Sequence, residues 1–120
     1  MPPRMIFGVP CIRAARAGDK AVIGRFLEGG FDIETRDEDG DSVMHAAAAA
    51  GQDELLDYLL DRGMSVDSAG AGGATPLAAA VVAGEAGTVR YLLRNGADPD
   101  RRDEEDFKPL MLAVKNDRVG

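Results

Sequence analysis

Residues 73–96 read GATPLAAAVVAGEAGTVRYLLRNG, and this stretch decides how the rest of the chain is interpreted. Thr75 and Pro76 predict a helix start, because a threonine hydroxyl can accept a hydrogen bond from a free backbone N–H and proline suits the first helical position. A helix of small residues follows and is predicted to end at Gly84. A second helix, centred on residues 89–93, is predicted to end at Gly96.

The same pattern occurs 33 residues earlier in the chain. The matching positions there are Gly40, Ser42, Ala46-Ala47, Gly51, Tyr58-Leu59-Leu60 and Gly63. Pro10 lies at twice that distance before Pro76, so the pattern extends back towards the amino terminus. Self-similarity at this period is typical of stacked helix pairs, in which each pair covers the next.

The spacing and the letters resemble the ankyrin repeat, whose pattern is roughly D-x-x-G-x-T-P-L-H-x-A-A-x-x-G, then a Leu-Leu helix and G-A-D. The resemblance is strongest over residues 74–99, with T-P-L and then Y-L-L-R-N-G-A-D-P. It implies an all-α solenoid of about four stacked helix-turn-helix repeats with finger loops, the last repeat being incomplete. We predict a leader at residues 1–8 and an ankyrin-repeat domain at residues 9–120, with repeats at about 9–36, 37–69, 70–102 and 103–120. A natural end at Gly120 and a longer parent protein are equally open.

Within the first two repeats, the helices are predicted from caps and apolar spacing. The first repeat is expected to hold helices at residues 10–17 and 19–28. The second is expected to hold a helix capped by Ser42 and ended by Gly51, and another that begins at Asp53. The side chains expected to face inward are Ala21, Val22, Phe26 and Leu27 in the first repeat, and Leu55, Leu56, Leu59 and Leu60 in the second.

Charge and cysteine content exclude several classes of function. The net charge is −7, which argues against non-specific binding to nucleic acid or to an anionic membrane, because both would repel an acidic surface. A single cysteine excludes an internal disulfide and a multi-cysteine metal site. No apolar run is long enough for a secretory signal or a membrane span, so we expect a cytoplasmic protein.

No pattern in the chain predicts a catalytic, cofactor-binding or metal site. His45 stands at the T-P-L-H position, where the resemblance implies an imidazole that joins neighbouring loops by hydrogen bonds, and Cys11 stands at a core position. The acidic run at residues 37–41 lacks the glycine and glutamate spacing of a calcium loop. The glycines at residues 70–73 lack the Gly-Lys-Ser/Thr of a phosphate loop. We predict no cofactor and no enzymatic activity.

The resemblance implies that a partner protein binds to the fingers and to the exposed side of the first helices. The positions of this sequence that match are Arg16, Arg36, Glu38, Asp39, Asp41, Ala49, Ala50, Ala71, Gly72, Ala74, Val82, Ala83, Arg102, Glu104, Glu105, Phe107, Lys115 and Asn116. Residues 34–41 carry five acids and one base, and residues 98–107 carry six acids and two bases. Two acidic fingers thus flank a small apolar surface. Phe107 is either an exposed aromatic anchor for a partner or a side chain that folds under the last helix, and both remain open.

The function that follows is non-catalytic binding of a partner with a basic surface, and one version is an inhibitor or immunity-type protein that masks a basic protein. Acidic fingers that only keep the chain soluble are the alternative interpretation of the same charges. A second alternative is a structural module that self-associates or docks through an open carboxyl-terminal end.

Overall fold

The fold is a stack of helical hairpins. The computed structural model describes residues 5–30, 36, 40–105 and 108, and over these it contains six α-helices and no β-strand. The hairpins are α1 (Met5–Ala17) with α2 (Lys20–Glu28), α3 (Val43–Ala49) with α4 (Asp53–Asp61), and α5 (Pro76–Ala83) with α6 (Ala86–Arg94). The first helices pack side by side, α1 against α3 and α3 against α5. The predicted all-α repeat fold is confirmed.

Helix α5 begins and ends as its sequence predicts. The Thr75 hydroxyl accepts a hydrogen bond from the Ala78 N–H at 3.2 Å, and Pro76 occupies the first turn, where its missing N–H costs nothing. Gly84 ends the helix in the left-handed conformation, with φ 78°, which a residue with a Cβ adopts only at a cost.

Polar caps also begin two of the other helices. The Ser42 hydroxyl accepts from the N–H groups of Met44 and His45 at the start of α3. The Asp19 carboxylate accepts from the N–H of Val22 at the start of α2. Each cap supplies a partner to an N–H that the helix leaves unpaired, and this stabilises a helix end by about 1 kcal/mol.

The core is built from alanine and leucine at the predicted spacing. Leu55, Leu56 and Leu59 of α4 are buried and Leu60 is half-buried. In the first helices many of the buried positions are small, among them Ala15, Ala47, Ala48 and Ala80, beside larger ones such as Met44 and Leu77. Small side chains let neighbouring helices approach closely, so each hairpin hides its apolar face against the next.

Two details of the first hairpin differ from the prediction. Helix α1 begins at Met5, five residues before the predicted start at Pro10. The prediction placed Pro10 at the first helical position by analogy with Pro76. Inside a helix, proline removes the one hydrogen bond to the carbonyl of Ile6, and that single loss does not end α1. On α2, Ile23 is buried and Ala21 is exposed, because the inward face of the helix lies along Val22, Ile23 and the residues one turn later.

Side chains at the hairpin turns reach across to the preceding hairpin. The Gln52 amide donates to the carbonyl oxygen of Arg16 at 2.9 Å and lies against Gly18, where a Cβ would fall 2.5 Å from the Gln52 Oε1. One repeat later, the Glu85 carboxylate lies in the same way against Gly51. Both glycines have positive φ, at 73° and 72°. Glycine at these turns therefore serves the backbone conformation and makes room for the next hairpin.

The predicted leader at residues 1–8 and the predicted four-repeat division stay predictions. Residues 106, 107 and 109–120, which would form most of the fourth repeat, lie outside the described residues.

Leu92 and Leu93 are neighbours on α6 and provide a matched test of the packing. Leu92 is 0% exposed and Leu93 is 42% exposed. We expect Leu92→Ala to lower the free energy of unfolding by about 3 kcal/mol, because it leaves a cavity in the core. Leu93→Ala should lower it by less than about 1 kcal/mol. Urea denaturation followed by circular dichroism measures both values, and equal losses would contradict this packing.

Candidate functional site

The middle finger, which we define as residues 68–74, is a closed loop held by its own backbone. The Gly70 N–H donates to the Ala74 carbonyl oxygen at 2.7 Å, and the Gly73 N–H donates to the Gly70 carbonyl oxygen at 3.0 Å. Gly72 and Gly73 have φ of 62° and 78°, so the tip requires glycine. The finger carries no charged side chain.

His45 joins this finger to the hairpin before it. The ring lies on α3, 2% exposed, with its Nε2 2.9 Å from the Ala74 carbonyl oxygen and its Nδ1 2.8 Å from the Ser42 hydroxyl. A Cβ on Gly70 would fall 2.7 Å from the Nε2, so the finger packs directly on the imidazole. The ring is held from both sides and lies out of solvent, as expected for a structural histidine.

The hydrogen bonds assign the protonation of the ring. The Ala74 carbonyl can only accept, so the Nε2 carries the proton. The Ser42 oxygen already accepts from two backbone N–H groups, and its own proton is available to the Nδ1. Burial lowers the pKa of His45 below its ordinary value, an effect that the bond to Ala74 opposes. The neutral imidazole is therefore the form that fits.

The last finger, which we define as residues 98–107 and of which residues 98–105 are described, is attached to the middle finger through the backbone. The Glu104 N–H donates to the Gly72 carbonyl oxygen at 2.8 Å, and a Cβ on Gly73 would fall 3.2 Å from the Glu104 nitrogen. The side chains of Arg102, Glu104 and Glu105 are exposed. Two loops that lie more than 30 residues apart in sequence thus form one continuous rim.

Several carboxylates of the last finger are used to shape the loop itself. Asp98 accepts from the N–H of Asp100 at 2.9 Å, and Asp103 accepts from the N–H of Glu105 at 2.8 Å. Asp100 also pairs with Lys108 at 3.2 Å. Part of the acidic charge predicted to attract a partner therefore serves the conformation of the loop.

A row of small side chains lies at the carboxyl ends of α3 and α5. We name it the small-residue floor: Ala49, which is exposed, and Ala50, Val82 and Ala83, which are half-buried. Arg16 occupies the same position of the pattern on α1 and is exposed. The fingers lie at the amino ends of the first helices, so about 12 Å, the length of eight-residue α5, separates finger from floor.

The structure places part of the predicted partner-binding set at these surfaces. Gly72, Ala74, Arg102, Glu104 and Glu105 lie on the fingers, and Arg16, Ala49, Ala50, Val82 and Ala83 lie on the first helices. Asp41 and Arg36 are half-buried near the start of α3. Ala71 belongs to a short 3₁₀ turn at the finger tip. Glu38, Asp39, Phe107, Lys115 and Asn116 lie outside the described residues.

The second helices carry polar contacts that sequence reasoning missed. The Thr88 hydroxyl donates to Asp53, the Tyr91 hydroxyl donates to Asp57 at 3.0 Å, and Lys20 pairs with Glu54 at 3.6 Å. The acids of α4 therefore bind both neighbouring hairpins. Polar residues at nearly equal places in successive repeats are the signal that was available.

Burial perturbs two other ionisable groups. It raises the pKa of the Tyr91 hydroxyl, as does the hydrogen bond from that hydroxyl to Asp57. It also raises the pKa of the Cys11 thiol, which lies in the core of α1. A buried, protonated thiol packs as a small hydrophobe and is a poor nucleophile. The prediction that Cys11 is a core residue is confirmed.

One shallow groove of about 270 Å³ lies on α2 and was not predicted. Val22, Arg25 and Phe26 line it, at helical spacing on one face. Among the described residues no group of three or more His, Cys, Asp or Glu side chains could hold a metal ion. None of the described helices is both long and apolar enough to cross a membrane.

Successive helical hairpins with polar caps on α3 and α5, glycine turns and finger loops define a helical repeat protein. The sequence matches the family model described as ankyrin repeats, in three copies, over residues 11–103. The chain belongs to the ankyrin-repeat family. Members of this family are in general protein–protein interaction modules and are typically not enzymes. No curated protein matches the chain.

Gly70 tests the contact between His45 and the middle finger. We expect Gly70→Ala to lower the free energy of unfolding by about 2 kcal/mol, because the added methyl group overlaps a ring that two hydrogen bonds hold in place. In a His45→Ala background the same change should cost much less, and a double-mutant cycle measures the difference. Gly87→Ala is the control, since its Cβ would have nothing nearer than 4.0 Å. A Gly70→Ala cost that survives removal of His45 would contradict the contact.

Proposed function

We propose that the chain is a non-catalytic binding module for a partner protein with a basic surface, held through the finger rim and the small-residue floor. The observation that carries this proposal is the bond between Glu104 and Gly72. That bond places two exposed glutamates, Glu104 and Glu105, next to a finger that has no charge of its own. The result is a rim with an acidic end and an uncharged, glycine-rich end.

The distance between rim and floor describes the surface that the partner must present. A partner that touches both must cover the length of a first helix, about 12 Å, with basic groups at one end and small apolar groups at the other. The exposed glutamates are rim charges. They speed the encounter and oppose acidic partners more than they add affinity, and salt screens them. An inhibitor or immunity-type protein that masks a basic protein is one function with these requirements.

The proposal is tested by reversing the charge of the rim. We expect Glu104→Lys with Glu105→Lys to weaken binding of a basic partner about tenfold, and to leave the melting temperature nearly unchanged. The chain, immobilised, is used to capture proteins at low and high salt. The captured protein is identified, purified and measured by calorimetry against the native chain and the variant.

A matched control is available on α4. Glu54→Lys with Asp61→Lys changes the net charge equally, and both side chains are exposed on α4, outside the residues assigned to the rim and the floor. We expect this control to bind nearly as tightly as the native chain. An acidic captured protein, binding that ignores salt, or equal weakening by the control would each contradict a role for the fingers.

The alternative function, self-association or docking through the carboxyl-terminal end, concerns residues 106, 107 and 109–120, which lie outside the described residues. Light scattering at increasing concentration tests it, and a dimer that forms through this end would favour it over the finger rim. Two further predictions stay predictions. The acidic charge supports the absence of nucleic-acid and membrane binding. Cytoplasmic localisation is expected from the lack of a long apolar run in the sequence.

A further inference from the structure

We propose that His45 is a proton-operated latch: when its ring takes up a proton, the middle finger detaches from the hairpin below it, and the last finger loses its bond to Gly72. The latch consists of His45, Ser42, the Ala74 carbonyl and the Gly70 backbone that packs on the ring. Within the described residues, the His45 ring is the α3 side chain that bonds to the finger, through the Ala74 carbonyl oxygen, and Gly70 packs on the same ring.

The second proton has no suitable place in the closed finger. It would bind to the Nδ1, which accepts the Ser42 hydroxyl proton in the neutral state. The hydroxyl would then have to turn its own proton away, while its oxygen already accepts from the N–H groups of Met44 and His45. Protonation thus removes the bond from the Ser42 hydroxyl to the Nδ1 and leaves three N–H donors directed at one oxygen. It also puts a charge into a buried site.

The charged groups around the ring oppose one another. Asp41, at the start of α3, favours the charged imidazole, and Arg36, in the first finger, disfavours it. The middle finger and α5 contribute no charged side chain, and on α1 the arginines are exposed and Cys11 is neutral. Burial remains the dominant effect, and it lowers the pKa of His45 below 6.5, the ordinary value.

The direction of the pH dependence follows from this shift. The open finger exposes the ring, so its pKa returns towards 6.5 and the open state binds more protons. The stability that the latch gives to the closed finger is complete above the ordinary pKa. It is lost as the pH falls from there through the lower value of the closed state. Acidification therefore opens the finger.

Opening of the middle finger also affects the last finger, because the two are joined by a hydrogen bond. Its Glu104 N–H bonds to the Gly72 carbonyl oxygen, which lies at the tip of the middle finger. A middle finger that has left the ring cannot hold this carbonyl in place. The device differs from the proposed binding function, since it can be observed in the chain alone without any partner.

The chain has a single histidine, so one imidazole can be followed by NMR without ambiguity. Between about pH 8 and pH 5 it is the side chain expected to change charge. We expect the ring to titrate below 6.5 and the amides of Gly70, Gly73 and Glu104 to shift with the same midpoint. At the acidic end, hydrogen-exchange protection of these amides, corrected for intrinsic rates, should fall by more than about threefold, because the open finger binds one more proton.

Two references distinguish the latch from general acid unfolding. The amides of Leu56 and Val89, which lie in α4 and α6, should keep their protection. In His45→Gln, which cannot titrate, protection of the finger amides should stay within about twofold over the same range. The latch is refuted by an ordinary imidazole pKa, by equal loss in α4 and α6, or by the same acid loss in His45→Gln. Should that variant not fold, different midpoints for the ring and the finger amides in the native chain refute it equally.

Discussion

The structure depends on one packing constraint: no hairpin of this chain can bury its own apolar face. Ala47 and Ala80, which are 33 positions apart, are both fully buried where the first helices meet. Side chains of this size let the helices come close enough for dispersion contacts, but bury little area each. Stability is therefore the sum of contacts along the stack, and the larger leucines of the second helices add to the buried area.

Hydrogen bonds to backbone groups at the turns and fingers also join neighbouring repeats, as the apolar packing does. Gln52 donates to the carbonyl of Arg16, His45 donates to that of Ala74, and Glu104 donates to that of Gly72. Each bond crosses from one repeat to a neighbour. The finger rim is thus a product of the stacking itself, and the loops that are available for binding are ordered by the interactions that hold the array together.

The sequence predicted what local chemistry determines. Thr75, Pro76 and Gly84 bound α5 because caps and glycine turns act within a few residues. Contacts between hairpins were not predicted, since the bond from Thr88 to Asp53 depends on a register between helices that no local pattern encodes. The predicted start of α1 was wrong for a related reason. The local sequence around a proline does not distinguish a proline at a helix start from one inside a helix that tolerates it.

The site could be predicted only as a set of equivalent positions, because charge in a sequence does not say which atoms already have partners. Several acids of the last finger hold their own loop, so the charge that faces solvent is smaller than the composition suggests. The last finger is also held in place by contacts with other parts of the chain. Ala78 stands where His45 stands one repeat earlier, so the last finger has no imidazole beneath it and is held through Gly72. The position of Glu104 and Glu105 therefore depends on two contacts, the bond to Gly72 of the middle finger and the bond from the Asp98 N–H to the Asp67 carboxylate at 3.2 Å.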